Sequence, residues 1–163
     1  MGLDMYLSAK KYESRSKFDD KPIEKDFYSK EFKELQEMIF EHNFCSKYTT
    51  CQIGYWRKAN AIHNWFVNNC FSGDYEDYDG ESIEVSYDQL IELRNLCKQV
   101  LEDYDKAPEL LPTQDGFFFG STDYDEWYFA NLEYTIDLID AIERMYKNVN
   151  PKYNYNFEYD ASW

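Results

Sequence analysis

A period of two at both ends of the chain narrows the possible folds more than any other feature. Leu3, Met5, Leu7 and Ala9 alternate with Asp4, Tyr6 and Ser8, and far downstream Tyr153, Tyr155, Phe157 and Tyr159 alternate with Asn154, Asn156 and Glu158. Strict alternation marks a strand with one covered face. Two such strands at opposite ends are satisfied together if both enter one sheet, which the intervening segments then cover. Those segments read mostly as helices. The expectation is a single α+β domain over residues 1–163, with a small mixed or antiparallel sheet flanked by about four helices.

The first helix candidate runs from Phe27 to His42, with Phe32, Leu35, Met38 and Ile39 at helical spacing. The second covers Lys58 to Cys70, where Ala59, Ile62, His63, Phe66 and Cys70 share one face. Ser86-Tyr87-Asp88-Gln89 is a capping box that opens the third, with Leu90, Leu93, Cys97 and Val100 turned inward. Ser121, Thr122 and Asp123 offer N-caps for the fourth, which reaches about Lys147 and has Trp127, Ala130, Tyr134, Leu138 and Ile142 among its apolar positions. Pro151 stops it. Between these, the spacing predicts loops at Lys10–Lys25 and Asn43–Thr50, short strands at Cys51–Tyr55 and Ile83–Val85, and a linker at Ala107–Asp115. Gly116-Phe117-Phe118-Phe119-Gly120 reads as a strand buried on both faces.

Charge limits the partners. The formal net charge is −15, which disfavours nucleic acid or an anionic membrane as a direct partner, since both require clustered Lys and Arg. No run of about 18 apolar residues is present to span a bilayer, and no basic-then-apolar leader opens the chain, so a cytoplasmic setting with reduced thiols is expected. Cys45, Cys51, Cys70 and Cys97 lack the paired spacing of a zinc site, and Gly80 falls at the wrong position for the acidic run to close a calcium loop. No metal or cofactor is expected, and no catalytic residue is assigned.

Two stretches carry chemistry. The block Ile53–Phe66 concentrates Trp56, Arg57, Lys58, Asn60, His63 and Trp65. Arg57 and Lys58 suit an anion, Trp56 suits a ring, His63 titrates near neutrality, and Asp123 and Glu126 at a later helix start complete a drawable nucleotide or small-anion pocket. The competing reading is structural: a lone histidine on an apolar helical face is a hydrogen-bonded core residue. The second stretch is acidic. Asp74, Glu76, Asp77, Asp79 and Glu81, followed by Glu84 and Asp88, occur without a Lys or Arg among them, while Tyr75 and Tyr78 are interleaved. Such a surface imitates the charge pattern of a nucleic-acid backbone, with the carboxylates steering a basic partner and the tyrosines giving contact area.

Three blocks together resemble an uncharacterised family of bacteriophages, prophages and their hosts. They are the opening Met1-Gly2-Leu3-Asp4-Met5-Tyr6-Leu7, the segment Ile53–Phe66, and Leu111–Gln114 running into Gly116–Tyr128. The resemblance brings no catalytic residues. It implies a phage or mobile-element setting inside a host cell, where small acidic proteins block defence. The expected function is therefore a non-enzymatic inhibitor of a basic host protein, such as a nuclease or CRISPR effector, with the pocket around His63 as the alternative.

Overall fold

A computed structural model describes residues 2–16, 44–148 and 155–163, together with Phe18, Phe32 and Met38. The two alternating ends are neighbours. Strand β1 (Asp4–Ser16) lies between β2 (Phe44–Arg57) and β4 (Tyr155–Ser162), and the short β3 (Ile83–Val85) closes the far edge, giving the order β2-β1-β4-β3. Every pairing is antiparallel. The α+β expectation holds, in its antiparallel form.

Alternation decides which side chains go under the helices. Leu3, Met5 and Leu7 of the first segment and Phe157 and Tyr159 of β4 are fully buried on one face. The other face carries cross-strand tyrosine pairs, Tyr6 with Tyr55 and Tyr12 with Tyr48, at ring separations of 5.4 and 5.0 Å. The covering layer consists of α1 (Asn60–Cys70), α2 (Tyr87–Glu102), a single turn α3 (Ala107–Leu110) and α4 (Glu126–Asn148). Phe66 of α1 stacks on Tyr159 of β4, centroids 4.2 Å apart, and this pair joins helix layer to sheet. Arg94 of α2 clamps α4 through Asp140 and Glu143 at 2.9 and 2.7 Å. Gly54 admits α4 to the sheet: a Cβ there would stand 2.6 Å from Leu138 Cδ2 and 3.2 Å from Leu7 Cβ. No helix among the described residues is long and apolar enough to cross a membrane.

Local sequence sets most of the boundaries. The Ser86 capping box forms in full, with Ser86 Oγ accepting from Gln89 N–H and the Gln89 side chain accepting from Ser86 N–H. Several expectations need correction. Lys10–Ser16 and Phe44–Thr50 are not loops but the outer halves of β1 and β2, paired from Lys10↔Thr50 to Ser16↔Phe44. Lys10–Ser16 does not show the apolar alternation by which a strand is recognised in sequence. The predicted linker at Ala107–Asp115 begins with a helical turn, because Pro108 in a first turn lacks only an N–H that would be unpaired anyway. The glycine-bounded run at 116–120 is a loop: Phe117 is 81% exposed and only Phe119 is buried. The cap of α4 is Asp125, whose Oδ1 accepts from the N–H groups of Trp127 and Tyr128 at 3.0 Å each, in place of the predicted caps Ser121, Thr122 and Asp123. The buried stripe of α4 is Tyr128, Leu132, Thr135, Ile139 and Ile142, so Trp127, Ala130 and Tyr134 of the predicted apolar positions lie outside it. The candidate helix Phe27–His42 lies outside the described residues except for Phe32 and Met38, both exposed, and Pro151 lies outside them too.

Candidate functional site

The block Ile53–Phe66 ends one strand and begins one helix, and that junction divides its residues. At the end of β2 the period of two sends Gly54 and Trp56 inward and Tyr55 and Arg57 outward. Trp56 is 2% exposed, and its Nε1–H donates to Thr135 Oγ1 on α4 at 2.9 Å. The indole meets Phe66 edge-on at 5.9 Å. His63 is sealed as well. Its Nδ1 lies 2.7 Å from the Tyr159 hydroxyl, and the rings of Tyr75, Tyr78, Phe119 and Trp163 surround it. Burial holds the imidazole at a pKa of about 4, so it is neutral at pH 7 and out of reach of a dissolved ligand. Trp56 and His63 therefore do not join the predicted pocket; both are core. Nor does Glu126, which is exposed at the start of α4 but lies outside the cleft described next.

Arg57 and Lys58 turn the other way. Lys58 adopts φ +57°, a left-handed conformation that lets the chain leave β2 and enter α1. Its N–H donates to Leu3 O at 2.8 Å, and Leu3 N–H donates to Phe118 O at 3.2 Å, which pins the 116–120 loop beside the strand end. Gly120, at φ +95°, packs so closely that a Cβ there would come 3.1 Å from Lys58 Cβ. The Asn60 side chain fastens the arrangement: Nδ2 donates to Phe119 O and Ser121 O at 3.2 and 2.8 Å, and Oδ1 accepts from Gln114 N–H at 3.2 Å. Asn60 is thus a positioning residue with its amide fully used.

What remains is an open cleft of about 470 Å³. Arg57, Lys58 and the first turn of α1 form one wall, and Ser121 and Asp123 form the loop side. Trp127 and Asn131 of α4 form the third. The structure thus brings together Arg57, Lys58, Asn60 and Asp123 from the predicted set. Trp127 and Asn131 were not anticipated. Trp127 is 71% exposed, one residue before buried Tyr128.

The acidic stretch follows α1, and none of its residues lines the cleft. Asp74, Glu76, Asp77, Asp79 and Glu81 are all exposed, and Glu84 on the edge strand β3 faces Glu158 across the ladder. Some carboxylates elsewhere find cations, as in Lys10–Glu158, Lys98–Asp140 and Lys147–Glu143. Among the described residues none of Asp74, Glu76, Asp77, Asp79 and Glu81 pairs with a Lys or Arg. The tyrosines between them depart from the expected role. Tyr78 is 7% exposed and Tyr75 half-buried, both packed against His63, and neither hydroxyl finds a hydrogen-bond partner among the described residues. Burial raises both phenols, Tyr75 to about 12. Tyr78 offers almost no contact area to a partner; the carboxylates alone face out.

No family model, curated protein or solved structure matches the chain.

Proposed function

We propose that this chain is a non-enzymatic binding protein of phage or mobile-element origin, whose acidic face engages a basic, nucleic-acid-handling host protein of the nuclease or CRISPR-effector kind. The observation that carries the reading is the density of exposed charge: Asp74, Glu76, Asp77, Asp79 and Glu81 crowd one short segment without a Lys or Arg, all five are exposed, and none pairs with a cation among the described residues. Like charges held together in this way repel one another and set up a field that attracts a basic surface from a distance. The inward-facing Tyr75 and Tyr78 hold the acidic loop against His63, so its carboxylates are presented from a fixed backbone. The phage setting rests on the resemblance of the three sequence blocks.

The test has two stages. Tagged protein is used to capture partners from host lysate, with elution by a salt gradient. The captured protein is then purified and its association rate measured against wild type and against a variant with Asp74, Glu76, Asp77, Asp79 and Glu81 changed to Lys. All five side chains are exposed, so the variant should fold. Association should slow by about tenfold or more and lose its salt dependence. Equal rates for both proteins would refute the acidic face as the binding surface.

A further inference from the structure

We propose that the cleft at the start of α1 binds a nucleoside phosphate. This site is separate from the acidic face, and its chemistry is opposite. Its size already selects among ligands: about 470 Å³ lies within the ~300–1,000 Å³ range of small-molecule sites, and an inorganic anion alone would leave most of it empty.

One end of the cleft suits phosphate. The Lys58 ammonium has no carboxylate within ion-pair distance among the described residues. Arg57 reaches Asp4 only through Nε, at 3.7 Å, so the outer nitrogens of its fork have no carboxylate there either. Directly after these two cations in the sequence α1 begins, with Ala59 as an N-cap that supplies no side-chain hydrogen bond and no acidic residue in its first turn. Asn60, Ala61 and Ile62 line the cleft, and their N–H groups, as the first of a helix, find no acceptor among the described residues. The start of α4 differs, since Asp125 already fills its cap.

The other end rejects a bare anion and suits the rest of a nucleotide. Asp123 places a carboxylate there without a cation, which calls for hydrogen-bond donors such as ribose hydroxyls or the N–H edge of a base. The Asn131 amide, free of hydrogen bonds among the described residues, can donate and accept beside it. Trp127 presents its indole at the rim, 71% exposed, as a face for a base to stack on. A cationic end, an acid-and-amide end and an aromatic rim match a phosphate, a sugar or base edge and a flat ring in one ligand. A free amino acid is too small to reach all three. A long nucleic acid would be repelled by the net charge of −15.

The experiment is calorimetric titration of the full chain with each of the four nucleoside 5′-monophosphates, with inorganic phosphate and the matching nucleosides as controls. At least one nucleotide should bind saturably, about tenfold or more tighter than its nucleoside or phosphate alone. Lys58→Gly and Trp127→Ala should each weaken that binding by about tenfold or more. Both side chains are exposed, and glycine suits the positive φ at position 58, so an unchanged melting temperature separates lost contacts from lost folding. If either melts early, Lys58→Gln or Trp127→Leu takes its place. Absence of saturable binding by all four nucleotides, phosphate binding as tightly as any nucleotide, or full affinity in folded variants would each overturn the proposal.

Discussion

Lys58 and His63 belong to the same short stretch of sequence, yet one faces a cleft and the other is sealed in the core. His63 is 1% exposed, ringed by Tyr75, Tyr78, Phe119 and Trp163, and kept neutral by burial. Lys58 is exposed beside about 470 Å³ of open space. The difference comes from geometry and not from residue type. A strand sends neighbours to opposite faces, and a helix that follows it buries whichever side meets the sheet. Unusual residues close together in sequence are thereby sorted into a packed half and a wet half.

The largest test of that division compares neighbours. Trp56→Ala removes a buried indole and leaves Thr135 without its donor, so it should cost about 3–5 kcal/mol of stability. Arg57→Ala, one position on, should change stability by no more than about 0.5 kcal/mol. Chemical denaturation of the two variants measures both. Similar costs would break the contrast between the halves.

Acid tests the sealed half next. The folded pKa of His63 is about 4 and an unburied histidine titrates at about 6.5, so between those values the unfolded chain holds the extra proton. Stability from this group is therefore complete above about pH 6.5 and is lost as pH falls towards 4, by about 3 kcal/mol. His63→Gln keeps a hydrogen-bonding group near Tyr159 but cannot titrate. The stability gap between wild type and His63→Gln should shrink by that amount from pH 7 to pH 4 in denaturant melts. A gap independent of pH would mean that the folded protein protonates His63 freely, and the core would be open.

The same sorting explains what the sequence could reveal. Leu3–Ala9 and Phe157–Tyr159 were legible as strands because one face is dry, and the Ser86–Gln89 cap was legible because both partners are local. The pairing of Lys10–Ser16 with Phe44–Thr50 was hidden, since Lys10–Ser16 carries no apolar alternation to mark it. Gly116–Gly120 misled because three phenylalanines between glycines look alike in a buried strand and in a loop that buries only Phe119. Within the site, Arg57 and Lys58 were visible as charges. Trp127 was not, because the helical spacing was read along Trp127, Ala130, Tyr134 and Leu138 and not along the neighbouring stripe Tyr128, Leu132, Thr135 and Ile139 that is buried. Tyr75 and Tyr78 were misjudged because a tyrosine serves an interface and a core equally well.

Gly54 links the two halves mechanically. It lets Leu138 bring α4 onto β2, and α4 also carries Trp127 and Asn131 to the cleft. Gly54→Ala pushes a methyl to within 2.6 Å of Leu138 Cδ2, which should cost about 1–3 kcal/mol as the leucine or the helix yields. Thermal melts would show the cost, and the fluorescence of exposed Trp127 would show whether the cleft moves with it. A loss of stability with an unshifted spectrum would mean that the leucine alone adjusts and the halves are independent.

The smallest expected effect bears most directly on the wet half. At φ +57°, Lys58 carries a strain of about 1–2 kcal/mol that glycine would not feel. Glycine in turn gives the unfolded chain more freedom, a cost of about 0.5–1 kcal/mol. The two terms oppose each other, so Lys58→Gly should leave stability within about 1 kcal/mol of wild type. A lysine that supports the fold through its side chain would give a clear loss instead, measurable as a lower denaturation midpoint. Near-equal stability leaves the ammonium with no structural task, and a charged side chain held in a strained conformation at the mouth of a cleft is then explained by what it meets there.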